Sequence, residues 1–170
     1  MGSASRSTLN ASRESEMAGG SFLMSVVLAC APHVHPDTAL RIIHHESGGN
    51  PYAIGINGPW LLSRQPSTKE QAIATAQVLI NAGVSIDMGY SGINSSNLKR
   101  FGLTPETVFD PCRNLQAMEM HLLESYTKAV QRHGPGQTAL RETLSEYNTG
   151  HPQKGQRNGY VDKVISTVLK

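Results

Sequence analysis

The sequence is poor in the residues that mark metal-binding, membrane and nucleic-acid-binding proteins. Of its 170 residues two are cysteines, and neither lies in a CxxC or Cys/His cluster with zinc spacing. Hydrophobic residues make up 38%, which is too few for a membrane protein but enough for one packed core. The net charge is only +2 and the basic residues are scattered, so no basic patch for nucleic acid is present. We therefore expect one globular domain, peripheral to a membrane at most.

The beginning of the chain differs in composition from the rest. Residues 1–20 are rich in Ser, Ala, Gly and Arg, so we expect a disordered or artefactual extension, followed by one domain over 21–170. The apolar run 22–31 (FLMSVVLACA) is too short to span a bilayer. It fits a signal-peptide core or the first helix of the domain, and its direct continuation into folded-type sequence favours the helix.

The two cysteines, Cys30 and Cys112, have two interpretations. They are buried free thiols of a cytosolic protein, or they form one bridge that ties the first helix to a later one. A bridge implies an oxidising compartment such as the periplasm. The residues by themselves leave both interpretations open.

Helix start and stop signals divide the chain into several helices and an irregular region. Helix starts are predicted at Pro36, Pro105 and Pro111, and at a capping box over residues 67–70. Two shorter helices are expected at about 137–147 and 160–169. The longest periodic segment, 111–133, has one apolar face made by Leu115, Met118, Leu122, Tyr126 and Val130. Residues 52–65 and 84–97 indicate loops or a small β region. The predicted fold class is α+β, predominantly helical, with a long central helix.

Glu46 breaks a local rule of helix stability. It ends the helix that starts near Pro36, directly before the helix-stopping segment 47–51 (SGGNP). A carboxylate in that position faces the negative end of the helix dipole. Residues that violate local preferences at a helix end are candidates for a functional role.

Four histidines, at positions 33, 35, 44 and 45, suggest a metal site at first sight. However, the second histidine four residues after His45 that a zinc-protease helix requires is missing. His44 and His45 also point about 100° apart on a helix, so they cannot easily share an ion. We expect neither a metal site nor a cofactor.

Three segments resemble the motifs of lytic transglycosylases with the goose-type-lysozyme-like fold, the soluble lytic transglycosylase superfamily. Residues 46–51 (ESGGNP) resemble Glu-Ser-x-x-Asn-Pro, and 89–94 (GYSGIN) resemble Gly-Leu-x-Gln-Ile-Asn. Residues 146–150 (EYNTG) and 159–161 (GYV) resemble Ala-Tyr-Asn-x-Gly and its trailing Tyr-Val. Each motif is weak alone, but three in the expected order form a strong signal. The resemblance covers 22–170 and implies a lysozyme-like domain.

Further segments resemble the subfamily that serves type IV secretion and conjugation machines. They are residues 51–55, 64–66 and 109–112. This resemblance implies a periplasmic, cell-envelope protein that acts on peptidoglycan glycan strands, with secretion-system components as candidate partners. It also implies that 22–31 is the first helix and that Cys30 and Cys112 are suited to pairing.

The resemblance implies a mechanism with a single carboxyl group. Glu46 would protonate the leaving sugar at the MurNAc–GlcNAc β-1,4 bond and then take a proton from the C6 hydroxyl, leaving a 1,6-anhydro-MurNAc end. Such an acid needs a pKa raised by burial in an apolar cleft, and Ile43, Tyr147 and Tyr52 are candidates for its wall. The residues predicted to bind substrate are Ser47, Tyr90, Gly92, Ile93, Asn94, Tyr147, Asn148 and Tyr160.

One departure from the family pattern leaves other functions open. Gly92 stands where the family commonly has glutamine, and a lost amide removes sugar hydrogen bonds worth about 1 kcal/mol each. Neighbouring Ser91, Asn94 or Ser95 could compensate. The alternatives to a transglycosylase are a catalytically weak peptidoglycan-binding scaffold and a lysozyme-type hydrolase that uses Asp87 or Asp110 as a second acid.

Overall fold

The chain folds into helices arranged around one long helix, with a small sheet on one side. This computed structural model describes residues 19–169. Its helices are α1 (19–30), α2 (Pro36–Ser47), α3 (Lys69–Asn81), α4 (Pro111–His133), α5 (Gln137–Thr149), α6 (Lys154–Arg157) and α7 (Tyr160–Ser166). Its strands are β1 (Ile54–Ile56), β2 (Ile86–Met88) and β3 (Ile93–Asn94), and 3-10 turns lie at Ser95–Asn97 and Lys99–Phe101. The predicted α+β, predominantly helical fold is thereby confirmed.

The ends of the long helix follow from local chemistry. Asp110 caps α4, because its side chain accepts a hydrogen bond of 3.0 Å from the backbone N–H of Arg113. Pro111 occupies the first turn, where its missing N–H costs nothing, and Gly134 ends the helix as predicted. In the same way α2 begins at Pro36 and ends at Ser47, and Gly48 caps it with φ +61°.

Some of the predicted helix boundaries were wrong, and one helix was missed. Residues 105–109 form turns instead of a helix, and the N–H of Thr104 is satisfied by the hydroxyl of Thr107 at 2.9 Å. The cap of α3 is Thr68, one residue later than predicted, since its hydroxyl accepts from the N–H of Gln71. The last helix ends at Ser166, and the short helix α6 was not predicted.

Only part of the prediction for the beginning of the chain falls on described residues. Residues 1–18 of the expected extension lie outside the described residues, whereas 19 and 20 belong to α1. The segment 22–31 forms most of α1 and its end, and Val27 and Ala31 are buried in the core. No helix within 19–169 is both long and apolar enough to cross a membrane.

The sheet is antiparallel, in the order β1-β2-β3. Ile54 pairs with Met88, and Asp87 pairs with Asn94. The carboxamide of Gln65 binds the edge strand: it accepts from the N–H of Ile54 and donates to its carbonyl, both at 2.9 Å. The loop between β1 and α3 is thereby fixed to the edge of the sheet.

Two clusters of buried residues make up the core. The first joins α1, α2, α4, α5 and α7 and includes Ile42, Leu115 and Met118. The second lies between the sheet and α3 and includes Met88 and Phe109. Helix α4 contributes to both clusters, so it holds the helical part and the sheet at a fixed separation.

The far half of α4 differs from the predicted apolar face. The buried residues there are Ser125 and Ala129, whereas Tyr126 and Val130 are only half-buried. Small side chains at these positions allow α5 to approach α4 closely. Packing of α5, and not side-chain hydrophobicity, therefore decides which residues of α4 are buried there.

Cys30 at the end of α1 and Cys112 in the first turn of α4 are joined by a disulfide. Of the two interpretations that the residues left open, the structure has the bridge. It fixes the first helix to the long central helix across 82 residues of sequence.

Candidate active site

The segments that carry the three motifs meet at one cleft of about 440 Å³. The cleft lies between the sheet and helices α2, α4 and α5. Six of the predicted site residues line it: Glu46, Gly92, Ile93, Asn94, Tyr147 and Asn148. Residues that are far apart in sequence therefore surround one carboxyl group.

Glu46 lies in the last turn of α2, which ends at Ser47, one residue later than predicted. Its Oε1 accepts a hydrogen bond of 2.6 Å from the hydroxyl of Tyr160 on α7. Burial raises the pKa of Glu46 to about 7, and the charge of Asp87 adds to this effect, whereas the bond from Tyr160 opposes it. The carboxyl group is thus divided between its two protonation states near neutral pH.

Gly92 packs directly against this carboxyl group. A Cβ at position 92 would lie 2.8 Å from Oε2 of Glu46, and the backbone has φ +65°, which side-chain-bearing residues rarely adopt. A glutamine side chain in this backbone would displace Glu46. Gly92, which stands where the family commonly has glutamine, thus lets the turn approach Glu46 closely.

The turn that carries Gly92 is fastened from two helices. The hydroxyl of Ser47 on α2 donates to the carbonyl of Tyr90 at 2.8 Å. The hydroxyl of Tyr147 on α5 donates to the carbonyl of Ser91 at 2.6 Å. These bonds hold the second motif against Glu46.

A third anchor of this turn, Asn114 on α4, was missed by the sequence analysis. Its Nδ2 donates to the carbonyls of Met88 (3.0 Å) and Val108 (2.9 Å), and its Oδ1 accepts from the N–H (2.9 Å) and the hydroxyl (2.6 Å) of Ser91. All polar groups of this buried amide are satisfied. The signal in the sequence is a polar residue on the apolar face of a predicted helix, next to Leu115.

Asp87 places a second carboxyl group in the cleft. Its Oδ1 accepts from Nδ2 of Asn94 at 2.8 Å. Burial raises the pKa of Asp87, and hydrogen bonds from Asn94 and Asn57 oppose the rise. Asn94, predicted to bind sugar, thus lines the cleft with its amide already bonded to Asp87. The other predicted partner acid, Asp110, is the cap of α4 and does not line the cleft.

Three residues predicted to bind substrate do not line the cleft. Tyr160 is buried and contacts Glu46 instead, and its ring packs edge-on against His45 with centroids 5.0 Å apart. Tyr90 is a core residue, and the hydroxyl of Ser47 bonds to the backbone carbonyls of Ile43 and Tyr90. The structure places all three behind the wall, where they support the site.

The apolar wall predicted for the cleft is only partly present. Ile43 is fully buried in the first core cluster, and Tyr52 packs against the second. Neither lines the cleft. Of the three predicted wall residues, only Tyr147 does.

A cluster of three tilted aromatic rings at the cleft was not predicted. The ring of His121 lies between Tyr147 and Phe101, with centroid distances of 4.9 and 5.7 Å. Burial, together with the charge of Arg100, lowers the pKa of His121 to about 4. The imidazole is therefore neutral near pH 7, with one donor and one acceptor nitrogen. His121 lies on α4, outside the three motifs. Only tertiary packing brings it to the cleft.

Comparisons with known proteins show the family of the chain. Residues 25–167 match the family described as "Transglycosylase SLT domain". The "Type IV secretion system protein virB1" of Brucella abortus is 40% identical over 144 residues, which is 81% of this chain and 60% of that protein. "Protein virB1" of Agrobacterium fabrum is 36% identical over 137 residues, 79% of this chain and 54% of that protein.

The chain therefore spans little more than half of the length of these relatives. No solved structure matches it. The family match covers most of the chain and includes the helix that carries Glu46, the turn at Gly92 and the end of α5, and it confirms the resemblance drawn from the three motifs. The chain belongs to the family of transglycosylase SLT domains.

Proposed function

We propose that the protein is a peptidoglycan lytic transglycosylase. In this proposal it cleaves the β-1,4 bond between MurNAc and GlcNAc and leaves a 1,6-anhydro-MurNAc end. The observation that carries the proposal is the carboxyl group of Glu46, which lies in the cleft with a pKa raised to about 7. Within 19–169 no lysine or arginine forms an ion pair with it, so no cation holds it in the charged form.

The reaction needs one group that acts first as an acid and then as a base. Protonated Glu46 donates to the glycosidic oxygen as its bond to the anomeric carbon breaks, and the GlcNAc-bearing chain leaves with that proton. The carboxylate then accepts the proton of the C6 hydroxyl while O6 bonds to the anomeric carbon. No water is consumed, and Glu46 is protonated again at the end. A pKa near 7 makes both forms accessible at neutral pH.

Other residues in and behind the cleft have supporting roles in this proposal. Tyr160 orients the carboxyl group, and Tyr147 holds the turn that faces it. Asn148 accepts a hydrogen bond of 2.9 Å from Asn158 through its Oδ1, which leaves its NH₂ group for an N-acetyl carbonyl. Gly92, Ile93 and Asn94 form the wall from the sheet side.

The cellular role is part of the same proposal. The Brucella abortus relative is named as a type IV secretion system protein, and a cell-wall-cleaving domain suits a machine that crosses the envelope. We place the protein in the periplasm, where it would open the wall locally during assembly of a secretion or conjugation apparatus. Secretion-system components are then its candidate partners.

Asp87 supports a second candidate, a lysozyme-type hydrolase. It lines the same cleft as Glu46, and its charge influences the pKa of Glu46. Two carboxyl groups around a sugar are the usual arrangement of a hydrolase. A hydrolase would add water and leave a reducing MurNAc end, so the product separates the two candidates.

The test is digestion of purified peptidoglycan, with mass spectrometry of the released muropeptides. Wild type and the control Glu106→Gln, an exposed carboxyl group away from the cleft, should release anhydro ends. Glu46→Gln should release none. Reducing ends that disappear in Asp87→Asn would establish the hydrolase instead. Wall binding without release by wild type would establish the scaffold.

A further inference from the structure

The single tryptophan of the sequence is exposed. Trp60 has 73% of its surface accessible, and the neighbouring Leu61 has 91%. The side chain of Trp60 therefore contributes little to the core. An exposed indole has an apolar face and one N–H donor, so it is suited to contact with another molecule.

The loop that presents Trp60 is tied down at both ends. At its beginning, the N–H of Asn57 donates to the carbonyl of Ser85 at 2.9 Å, and its side-chain amide donates to the Ser85 hydroxyl at 3.3 Å. At its end, Gln65 forms its two bonds to Ile54. The base of the loop is therefore fixed relative to the sheet.

This base is also one border of the cleft. Asn57 and Ser85 both line the cleft that contains Glu46. Trp60 follows Asn57 by three residues, so its Cα lies within roughly 11 Å of the Cα of Asn57 even in a fully extended chain. The loop that begins at this border of the proposed active site thus carries an exposed aromatic ring.

A glycan strand is longer than the cleft and must leave it over its borders. The faces of its pyranose rings carry C–H groups, and each acetamido group carries a methyl and a carbonyl. An indole ring offers a flat apolar surface to the first and an N–H donor to the second. The chemistry of Trp60 therefore suits a sugar ring that extends from the cleft past Asn57.

We propose that Trp60 forms an outer subsite that stacks against an N-acetylhexosamine ring of the glycan strand, beyond the cleft that holds the cleaved bond. The inference rests on the proposed function, because it takes the occupant of the cleft to be a glycan. Trp60 acts in binding and takes no part in the chemical step.

Because the sequence has one tryptophan, its fluorescence reports this position alone. Glu46→Gln protein, which does not turn substrate over, is titrated with chitin oligosaccharides while calorimetry follows binding independently. A hexasaccharide should give a saturable blue shift of the emission, since the ring leaves water. A disaccharide should give a smaller shift or none. Calorimetric binding of the hexasaccharide with unchanged emission would overturn the inference.

A kinetic comparison uses the adjacent exposed residue as the control. Trp60→Ala should raise KM for long glycan strands about three- to tenfold with kcat unchanged, Trp60→Phe should restore most of the affinity, and Leu61→Ala should resemble wild type. Equal KM in wild type and Trp60→Ala would refute the subsite and leave a protein partner as the occupant of the loop.

The outcomes also separate this inference from the proposed function. Failure of the subsite leaves cleavage and its dependence on Glu46 intact. Failure of the function removes cleavage by wild type, whereas the fluorescence titration still reports glycan binding at Trp60.

Discussion

The hydroxyl of Tyr160 donates to Oε1 of Glu46 across 2.6 Å, and this bond joins α2 to α7 over 114 positions of sequence. The bond favours the ionised carboxylate, while burial favours the neutral acid and outweighs it. A single hydroxyl thus limits how far the pKa of the proposed catalytic group rises.

Tyr160→Phe should raise the pKa of Glu46 above its value of about 7 and lower the maximal rate about tenfold, because the acid loses both a partner and its orientation. The measurement is the pH dependence of kcat/KM on a glycan substrate. Activity falls as the pH rises through this pKa, since the protonated form is required, so the falling limb should move to higher pH. A lower maximum with an unmoved limb would mean that Tyr160 acts only in packing.

The raised pKa of Glu46 should also reduce stability at high pH. The folded state binds this proton more tightly than the unfolded state, in which the pKa of Glu46 is near 4.5. The contribution of Glu46 to stability is therefore greatest below pH 4.5 and is lost as the pH rises through about 7. The difference in pKa corresponds to about 3 kcal/mol. Glu46→Gln carries no ionisable group there and should avoid this loss.

Urea unfolding of both proteins at pH 4 and pH 8 measures this effect. The free energy of unfolding of Glu46→Gln relative to wild type should increase by about 3 kcal/mol between the two pH values. Titration of Asp87 occurs in both proteins, so only its coupling to Glu46 remains in the difference. A difference that is independent of pH would contradict the raised pKa.

Gly92→Ala should impair both stability and activity. The positive φ is unfavourable for alanine by about 1–2 kcal/mol, and the new Cβ would lie 2.8 Å from Oε2 of Glu46. Gly102 is a matched control, because it has φ +64° but nothing within 4 Å of the added Cβ. Gly102→Ala should lose similar stability in urea unfolding and keep its activity. Equal activity of the two variants would mean that the close approach at 92 has no functional importance.

Removal of the disulfide should destabilise the fold without changing the site. Cys30 and Cys112 are 82 residues apart, and a bridge closing a loop of this length contributes about 4 kcal/mol in the chain-entropy account. The double variant Cys30→Ser/Cys112→Ser should show this loss in urea unfolding. Its kcat at low temperature should stay near that of wild type, because neither cysteine lines the cleft. A large fall in kcat of the folded variant would show that α1 influences the site.

The parts of the fold that depend on local chemistry could be predicted from the sequence. Asp110 followed by Pro111 specifies a helix start through one side-chain acceptor and a missing N–H. Thr104 followed by Pro105 has the same local signal, but the chain forms turns there, because a proline at the first position suits a turn as well as a helix. Local chemistry does not distinguish the two.

The site was predictable where a motif carried it and not where packing did. The resemblance to the three family motifs placed Glu46, Gly92 and Tyr147 in one site. By contrast, His121 and Asn114 reach the cleft or its supporting turn only because α4 passes beneath the sheet. Tyr160 shows the remaining difficulty: its motif associates it with the site, but only tertiary structure shows that it contacts Glu46 and not the sugar side of the cleft.

The carboxamide of Gln65 has a consequence beyond anchoring its loop. An open sheet edge offers unpaired N–H and C=O groups as a template for a strand of another molecule. By bonding both groups of Ile54, Gln65 occupies the place that such a strand would take on β1. One amide side chain thus disfavours pairing of a second strand with β1 at Ile54.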